Sequence, residues 1–255
     1  MLNIESVGQT RPEKTNGRGN GTMKIRGLTM IAVLALMVGM VLAGRPALAA
    51  EDVSNMARGG KLYDNWYKEL KQPRPEDTHP AYPASGKYPK QSWRCKECHG
   101  WDFKGKDGQF GKNDHSTGIK GVTGMAGKDP KAIAAAIMDG KHAYAGKLKD
   151  ADAQDLGLFI SKGLPDLNKY IDASGKPKGN AAKGEVYFNT LCAGCHGIDG
   201  KKVSTGAAVG ALKDDPWQLL HKELNGQTGE AMPALRSLDP SVASDILAHA
   251  QSLPE

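Results

Sequence analysis

Two pentapeptides with the same pattern, Cys-x-x-Cys-His, constrain this chain more than any other feature of its sequence. The first occupies residues 95–99 (CKECH) and the second occupies residues 192–196 (CAGCH). Together they contain all four cysteines of the 255-residue chain. A disulfide, or a metal site built from thiolates, would therefore have to use these same residues.

This spacing is the attachment signature of c-type haem. Two thiols three residues apart on a helical turn can add to the two vinyl groups of one porphyrin, and the histidine that follows can reach the iron. The sequence therefore predicts two covalently bound haem c groups, each with its iron. The predicted thioether positions are Cys95, Cys98, Cys192 and Cys195, and the predicted proximal iron ligands are His99 and His196.

Other uses of paired cysteines explain the pattern less well. A thioredoxin-like redox pair does not need a histidine directly after it. A zinc ribbon separates its two pairs by about 15–20 residues, whereas 93 residues lie between Cys98 and Cys192. Histidine is rare in this chain, with 7 of 255 residues, so its presence after both pairs favours haem.

The first 49 residues predict a secretory signal peptide. A basic stretch at 23–26 precedes an apolar run at 28–43, and Ala47-Leu48-Ala49 is typical of a cleavage site. Residues 1–22 form a polar extension. The apolar run is shorter than the ~20 residues that span a bilayer, so we expect cleavage and export to the bacterial periplasm. A retained segment would instead associate the protein with the membrane.

The positive net charge belongs largely to this N-terminal segment. The whole chain carries +6, but six of its 34 Lys and Arg residues and two of its 28 Asp and Glu residues lie in the first fifty positions. The rest of the chain is left with about +2, and haem propionates would bring it close to neutral. The composition therefore predicts no nucleic-acid partner.

The second half predicts an ordered series of helices around its motif. A first helix covers 181–190 and contains Gly184 and Tyr187, and a second opens at Asp215-Pro216 and closes at Gly226. Asp followed by Pro is a helix start signal, and Gly is a stop signal. A last helix covers 241–253, where apolar residues recur at helical spacing.

The first half repeats this order. A helix with Gly60 and Tyr63 precedes the motif, a second runs from Asp129-Pro130 to Gly140, and a last one covers 151–161. Gly124 and Gly210, and Pro130 and Pro216, match at the same offset. The order shared with the motifs indicates a diverged repeat.

These observations predict two domains after the signal peptide. The first covers residues 50–161, with a Pro-rich insert at 71–92 that we expect to be a surface loop. Residues 162–180 are a predicted linker, and residues 181–255 form the second domain.

The order of helices, haem motif and loops resembles that of class I cytochrome c domains. The tandem arrangement resembles the dihaem cytochromes of the cytochrome c4 type, and the resemblance covers residues 50–255. It implies an all-α fold of two tandem class I cytochrome c domains, each wrapped around a covalently attached haem. In each domain the first and last helices would cross. The implied role is periplasmic electron transfer between other redox proteins.

Each iron then needs a second axial ligand. Met232, followed by Pro233, resembles the distal Met-Pro of the family and is the predicted ligand of haem 2. Aligning the last helices on Asp155 and Asp245 places His142 opposite Met232, as the predicted ligand of haem 1. The alternatives for haem 1 are an open site or one of Met138, Met125 and His115. We expect Met138 to pack within its short helix and Met125 to be a core residue. We expect the three other histidines to be solvated or core residues: His79, His221 and His249.

A thioether ligand stabilises ferrous iron more than a second imidazole does. We therefore expect haem 1, with a His/His ligand pair, to have the lower potential, so that electrons enter there and leave at haem 2, with its His/Met pair. The sequence favours an electron carrier over an enzyme. The alternatives are a haem subunit docked on a periplasmic oxidoreductase, or a dihaem peroxidase-type enzyme with one displaceable ligand.

Overall fold

The computed structural model describes the backbone of residues 45–203 and 206–255, and side chains from residue 50 onward. Ala49–Glu255 form one compact unit. The predicted signal peptide lies outside the described residues, except for the backbone of its last five positions. Within the described ranges, no helix is long and apolar enough to cross a membrane.

The chain from residue 45 onward, in its described part, consists of helices and loops with no strand, which agrees with the predicted all-α class. The α-helices of the first half are α1 (Arg45–Glu69), α2 (Cys95–His99), α3 (Pro130–Met138) and α4 (Asp150–Leu158). Those of the second half are α5 (Ala181–Leu191), α6 (Ala193–His196), α7 (Pro216–Asn225) and α8 (Pro240–Ala250). A π-helical turn, Phe159–Gly163, extends α4.

The two Asp-Pro helix starts are confirmed. Asp129 precedes α3, and its Oδ1 accepts a hydrogen bond from Lys131 N at 3.0 Å. Asp215 precedes α7 in the same way and accepts from Gln218 N at 3.1 Å. In both helices the proline occupies a position whose N–H would have no helical partner, so its missing donor costs nothing.

Some predicted helix ends are wrong by a few residues. Helix α3 stops at Met138 instead of reaching Gly140, because Asp139 adopts an extended conformation. The Asp139 carboxylate then accepts hydrogen bonds from the backbone of Lys141 and His142, at 2.9 and 3.1 Å. At the end of the chain, α8 stops at Ala250 and not at Leu253.

Two clusters of buried apolar side chains form the interior. The first cluster gathers residues of α1, α3 and α4 and of the loops between them, with Leu62, Tyr63, Leu156 and Phe159 fully buried. The second gathers residues of α5, α7 and α8, with Leu220, Leu247 and Ala250 fully buried. Tyr170 and Ile171 belong to the second cluster, so part of the predicted linker is packed into the core.

The first and last helices of each half touch closely at a glycine. A Cβ atom on Gly59 of α1 would lie 2.2 Å from the Asp155 carbonyl oxygen of α4. A Cβ atom on Gly184 of α5 would lie 1.9 Å from the Asp245 carbonyl oxygen of α8. The structural repeat therefore pairs Gly59 with Gly184. The sequence comparison pairs Gly60 with Gly184, which is wrong by one residue.

The Pro-rich insert is less exposed than a simple surface loop, so that expectation was wrong for part of it. His79 and Tyr82 are buried, with 6% and 8% of their surface exposed. The His79 ring lies 4.5 Å from the ring of Trp93, and its backbone N–H donates to Ser92 Oγ at 2.9 Å. These contacts attach the insert to Ser92 and Trp93, which lie just before the first motif.

We predict that Gly59→Ala lowers the free energy of unfolding by about 1–3 kcal/mol, because the added methyl group would overlap the Asp155 carbonyl. The better helix propensity of alanine offsets only about 1 kcal/mol of this. Gly124→Ala is the control, since a Cβ atom there would meet nothing within 4 Å. Urea denaturation measures both variants, and wild-type stability of Gly59→Ala would contradict the packing described here.

Candidate functional site

The two motifs have the same local structure. Each forms a single helical turn, α2 or α6, that ends at a glycine with positive φ: Gly100 (78°) and Gly197 (73°). In each, the glycine N–H donates to a carbonyl four residues earlier, Lys96 O or Ala193 O, at 2.8 Å. The two cysteines and the histidine of each motif are thus placed on one turn, as porphyrin attachment requires.

Three of the four cysteines lie where burial favours the neutral thiol. Burial raises the pKa of Cys95 to about 11, that of Cys98 to about 12 and that of Cys192 to about 11. All four cysteines are free of disulfide bonds. A redox-active dithiol has a lowered pKa, so these environments do not favour a thioredoxin-like pair.

A zinc site is also absent from the described residues. No group of three or more His, Cys, Asp or Glu side chains there is placed to hold a metal ion. The two motifs therefore do not combine into a four-cysteine site, and each is a separate candidate centre.

At the first motif, the histidine is oriented for metal binding. His99 Nδ1–H donates to Lys120 O at 2.7 Å, which leaves the lone pair on Nε2. Burial lowers the pKa of His99 to about 4, so the ring is neutral. A neutral imidazole held by a backbone carbonyl through its other nitrogen is the usual form of a histidine metal ligand.

The loop of the predicted distal ligand lies beside the first motif. Tyr144, two residues after His142, has its hydroxyl 4.0 Å from Cys95 Sγ. His142 Nδ1–H donates to Ala136 O at 2.8 Å, so in the neutral ring the lone pair lies on Nε2, as in His99. The role of His99 and His142 as a ligand pair stays a prediction.

His79 supports the loop that carries His142, a role that sequence reasoning missed. Its Nδ1 accepts from Ala81 N at 3.1 Å, and its Nε2–H therefore donates to His142 O at 2.7 Å. The ring also packs against Tyr144, with ring centroids 5.7 Å apart. No local pattern signals this contact, because 63 positions separate the two histidines.

The alternative ligands of the first centre are placed differently. His115 Nδ1 lies 2.9 Å from Glu97 Oε1, and its ring stacks between Tyr88 and Phe110. Met138 packs against the first apolar cluster, as expected. Met125 is 43% exposed, so the expectation that it is a core residue was wrong.

The second centre is an open cleft of about 260 Å³. Its walls carry Cys192, Cys195, His196 and Met232, which are separated by up to 40 positions in the sequence. Nine more residues complete the lining: Leu191, Lys202, Val203, Glu223, Gln227, Glu230, Ala231, Pro233 and Leu235. Two thiols, an imidazole and a thioether are the donor set of haem c. The residues present therefore fit this group.

His196 differs from His99 in its surroundings. Its Nδ1 is buried and has no hydrogen-bond partner among the residues that the structure describes. Ser204 and Thr205 lie outside the described residues. Burial lowers the pKa of His196, so this ring is also neutral. A neutral imidazole lining a cleft beside two thiols suits a proximal ligand.

Glu223 is a functional candidate that sequence reasoning missed. It lines the cleft, only 4% of its surface is exposed, and neither carboxylate oxygen has a partner in the described part of the chain. Burial raises the pKa of Glu223 well above its usual value, so its surroundings favour the protonated carboxyl group. At the offset of the matching prolines and glycines, its counterpart in the first half is Ile137, a buried apolar residue. A glutamate at a position that is apolar in the other half was therefore the sequence signal that could have identified Glu223.

Residues 179–249 match the family described as Cytochrome C oxidase, cbb3-type, subunit III. The match covers less than a third of the chain and contains the second motif and Met232. It supports a c-type cytochrome domain with covalently bound haem c and a function in haem-based electron transfer. No curated protein and no solved structure matches the chain.

We predict that the free energy of unfolding of the Glu223→Gln variant, relative to that of the wild type, increases as the pH rises. The raised pKa means that the folded state holds its proton where the unfolded chain, with a value near 4.5, has lost it. The stability contribution of Glu223 is therefore complete below about pH 4.5 and declines above it, by at most about 1.4 kcal/mol per pH unit.

Denaturant unfolding of the intact protein at several pH values between 4.5 and 8 measures this difference. Glu185→Gln, an exposed carboxylate on α5, is the control. A difference between Glu223→Gln and wild type that stays constant over this pH range would contradict the prediction.

Proposed function

We propose that this protein is an exported dihaem c-type cytochrome that carries single electrons between redox proteins in the bacterial periplasm. The observation that carries the proposal is the second cleft, where two thiols, His196 and Met232 line one cavity. The predicted signal peptide supports export. Covalent haem supports it as well, because c-type haem is attached outside the bacterial cytoplasm. Bound haem iron supplies one-electron exchange between its ferric and ferrous states.

The repeat supports a second haem at the first motif. The motif turns have the same geometry at Gly100 and Gly197, and the helix crossings have the same close contact at Gly59 and Gly184. Cys95 and Cys98 would form the thioethers of this haem, with His99 and His142 as axial ligands. This interpretation corresponds to tandem class I domains of the cytochrome c4 type.

The two ligand pairs set the proposed direction of transfer. A His99/His142 pair gives the lower potential and a His196/Met232 pair the higher, because a thioether favours ferrous iron. Electrons then enter at the first centre and leave at the second.

The surroundings of the second motif support the exit of electrons there. Ile198, two residues after the motif, is a large apolar side chain with 77% of its surface exposed. An acceptor protein can contact the second motif on this side, since exposed apolar surface is typical of contact sites.

The second candidate function is a haem subunit of a periplasmic oxidoreductase complex. The family match to an oxidase subunit favours it. Purification of the native protein under mild conditions distinguishes the two: a shuttle elutes alone, whereas a subunit elutes with stoichiometric partner chains.

We predict that the mature protein carries two covalent haems. Intact-mass spectrometry should show two haem additions in the wild type and one addition in each paired variant, Cys95→Ala with Cys98→Ala or Cys192→Ala with Cys195→Ala. A single addition in the wild type would contradict the dihaem proposal, and the paired variants would then show which motif is loaded.

We predict that the two centres differ in ligand and in potential. Met232→Ala should abolish the far-red sulfur-to-iron charge-transfer band and lower the potential of the higher centre only. His142→Ala should convert the lower centre to a high-spin ferric signal. Redox titration and electron paramagnetic resonance measure both effects.

Two outcomes would overturn these assignments. Equal potentials in the wild type, or a lower potential at the Met-ligated centre, would refute the direction of transfer. A high-spin signal already present in the wild type would favour the dihaem peroxidase-type enzyme.

A further inference from the structure

The segment that carries Met232 has little regular structure of its own. We call residues 226–233, between the end of α7 and Pro233, the methionine loop. Among the described residues, the backbone hydrogen bond formed within this loop is from Glu230 N to Gln227 O, at 3.1 Å. A single turn does not fix the conformation of eight residues, so the position of Met232 depends on contacts from elsewhere.

Lys222 of α7 supplies one such contact, from its Nζ to Gln227 Oε1 at 2.8 Å, and helix α1 of the first half supplies contacts to the next three residues. Thr228 is 1% exposed, and its hydroxyl donates to Asp64 Oδ2 at 2.8 Å. One residue later, Gly229 N donates to Glu69 Oε2 at 2.8 Å. Both acceptors are carboxylates, and hydrogen bonds to charged acceptors are stronger than those between neutral groups.

A bend in α1 directs its last turn toward the loop. Asn65 leaves the helical conformation (φ −159°, ψ 83°), and its side chain accepts from Lys68 N at 3.1 Å, starting a new turn. This turn carries Glu69, described above, and Lys68, whose Nζ lies 3.4 Å from Glu230 Oε1. Three consecutive residues of the methionine loop are thus held by α1.

Asp64 is itself fixed by cations from both halves. Its carboxylate forms an ion pair with Arg94, and Lys222 Nζ donates to Oδ2 at 3.2 Å. Arg94 also donates through Nε to Asp64 O at 2.7 Å. Burial alone would raise the pKa of Asp64, but Lys222 and Arg94 hold it well below its usual range. The acceptor of the Thr228 hydrogen bond is therefore a fixed anion.

We propose that helix α1 of the first half positions the iron ligand of the second centre, with Asp64 and Thr228 as the positioning residues for Met232. Because Arg94 directly precedes Cys95, the same carboxylate ties the methionine loop to the first motif. The inference rests on the proposed function, in that Met232 is taken as the distal ligand. It adds that the second centre is not complete within its own half.

Thr228→Val is the main test, because it removes the hydroxyl at nearly constant volume and leaves the cationic partners of Asp64 in place. We expect a weaker far-red sulfur-to-iron band and a lower potential of the higher centre, with the lower centre unchanged. Amide hydrogen exchange in residues 227–232 should accelerate about tenfold, as expected for the loss of a hydrogen bond to a charged group.

Three further variants complete the design. Thr228→Ser keeps the hydroxyl and should restore the band, the potential and the slow exchange. Glu69→Ala removes the second anchor and should shift the same three measurements in the same direction as Thr228→Val. Thr190→Val is the matched control, since Thr190 is exposed and its hydroxyl donates within its own helix, to Val186 O at 2.7 Å.

The outcomes separate this inference from the ligand assignment. If Met232→Ala abolishes the band while Thr228→Val and Glu69→Ala leave band, potential and exchange unchanged, the loop positions itself and the inference is wrong. If Met232→Ala leaves the band intact, the ligand assignment is wrong and the inference falls with it.

Discussion

A buried negative charge has to be matched by nearby cations and donors, and Asp64 imposes this requirement on both halves of the molecule. With 3% of its surface exposed, it cannot rely on water. Arg94 supplies one cation from the first half, and Lys222 and Thr228 reach it from the second. Removal of any one partner would leave a buried charge less well compensated, so the ion network specifies how α1 sits against α7.

The two candidate centres are built on the same turn but differ in their surroundings. The first is enclosed: Cys95 packs against Tyr144, and the loop of His142 is held by His79. The second is a cleft whose wall carries the buried carboxyl group of Glu223, at the position of the apolar Ile137 in the first half. A buried carboxyl group and an alkyl side chain give a bound group different polar surroundings. Repetition of the sequence therefore does not imply repetition of the environment.

Local signals in the sequence predicted the motif turns and both Asp-Pro helix starts, because capping and proline chemistry act within a few residues. They also predicted that the donor atoms of the second centre come together, since a resemblance supplied the distal loop. They could not predict the contacts from α1 that hold the methionine loop. The Thr228–Asp64 bond spans 164 positions and depends on how two halves pack. The sequence comparison placed the helix crossing one residue too late for the same reason. Gly59 and Gly60 are adjacent glycines, and only the tertiary packing shows which of them contacts α4.

Those two glycines show how one helix can serve both halves. Gly59 lies against α4 of the first half, whereas Gly60 faces Asn225 of α7, whose side chain a Cβ atom would approach to 2.2 Å. His221 of α7 donates to Gly60 O at 2.9 Å, and its ring packs against Tyr63. Domains joined by small polar contacts move relative to one another. Here α1 packs against both halves and is tied to them by a buried ion network, and this arrangement opposes such movement. The proposed exchange of electrons between the two centres depends on their separation, and α1, which packs against both halves, helps to set that separation.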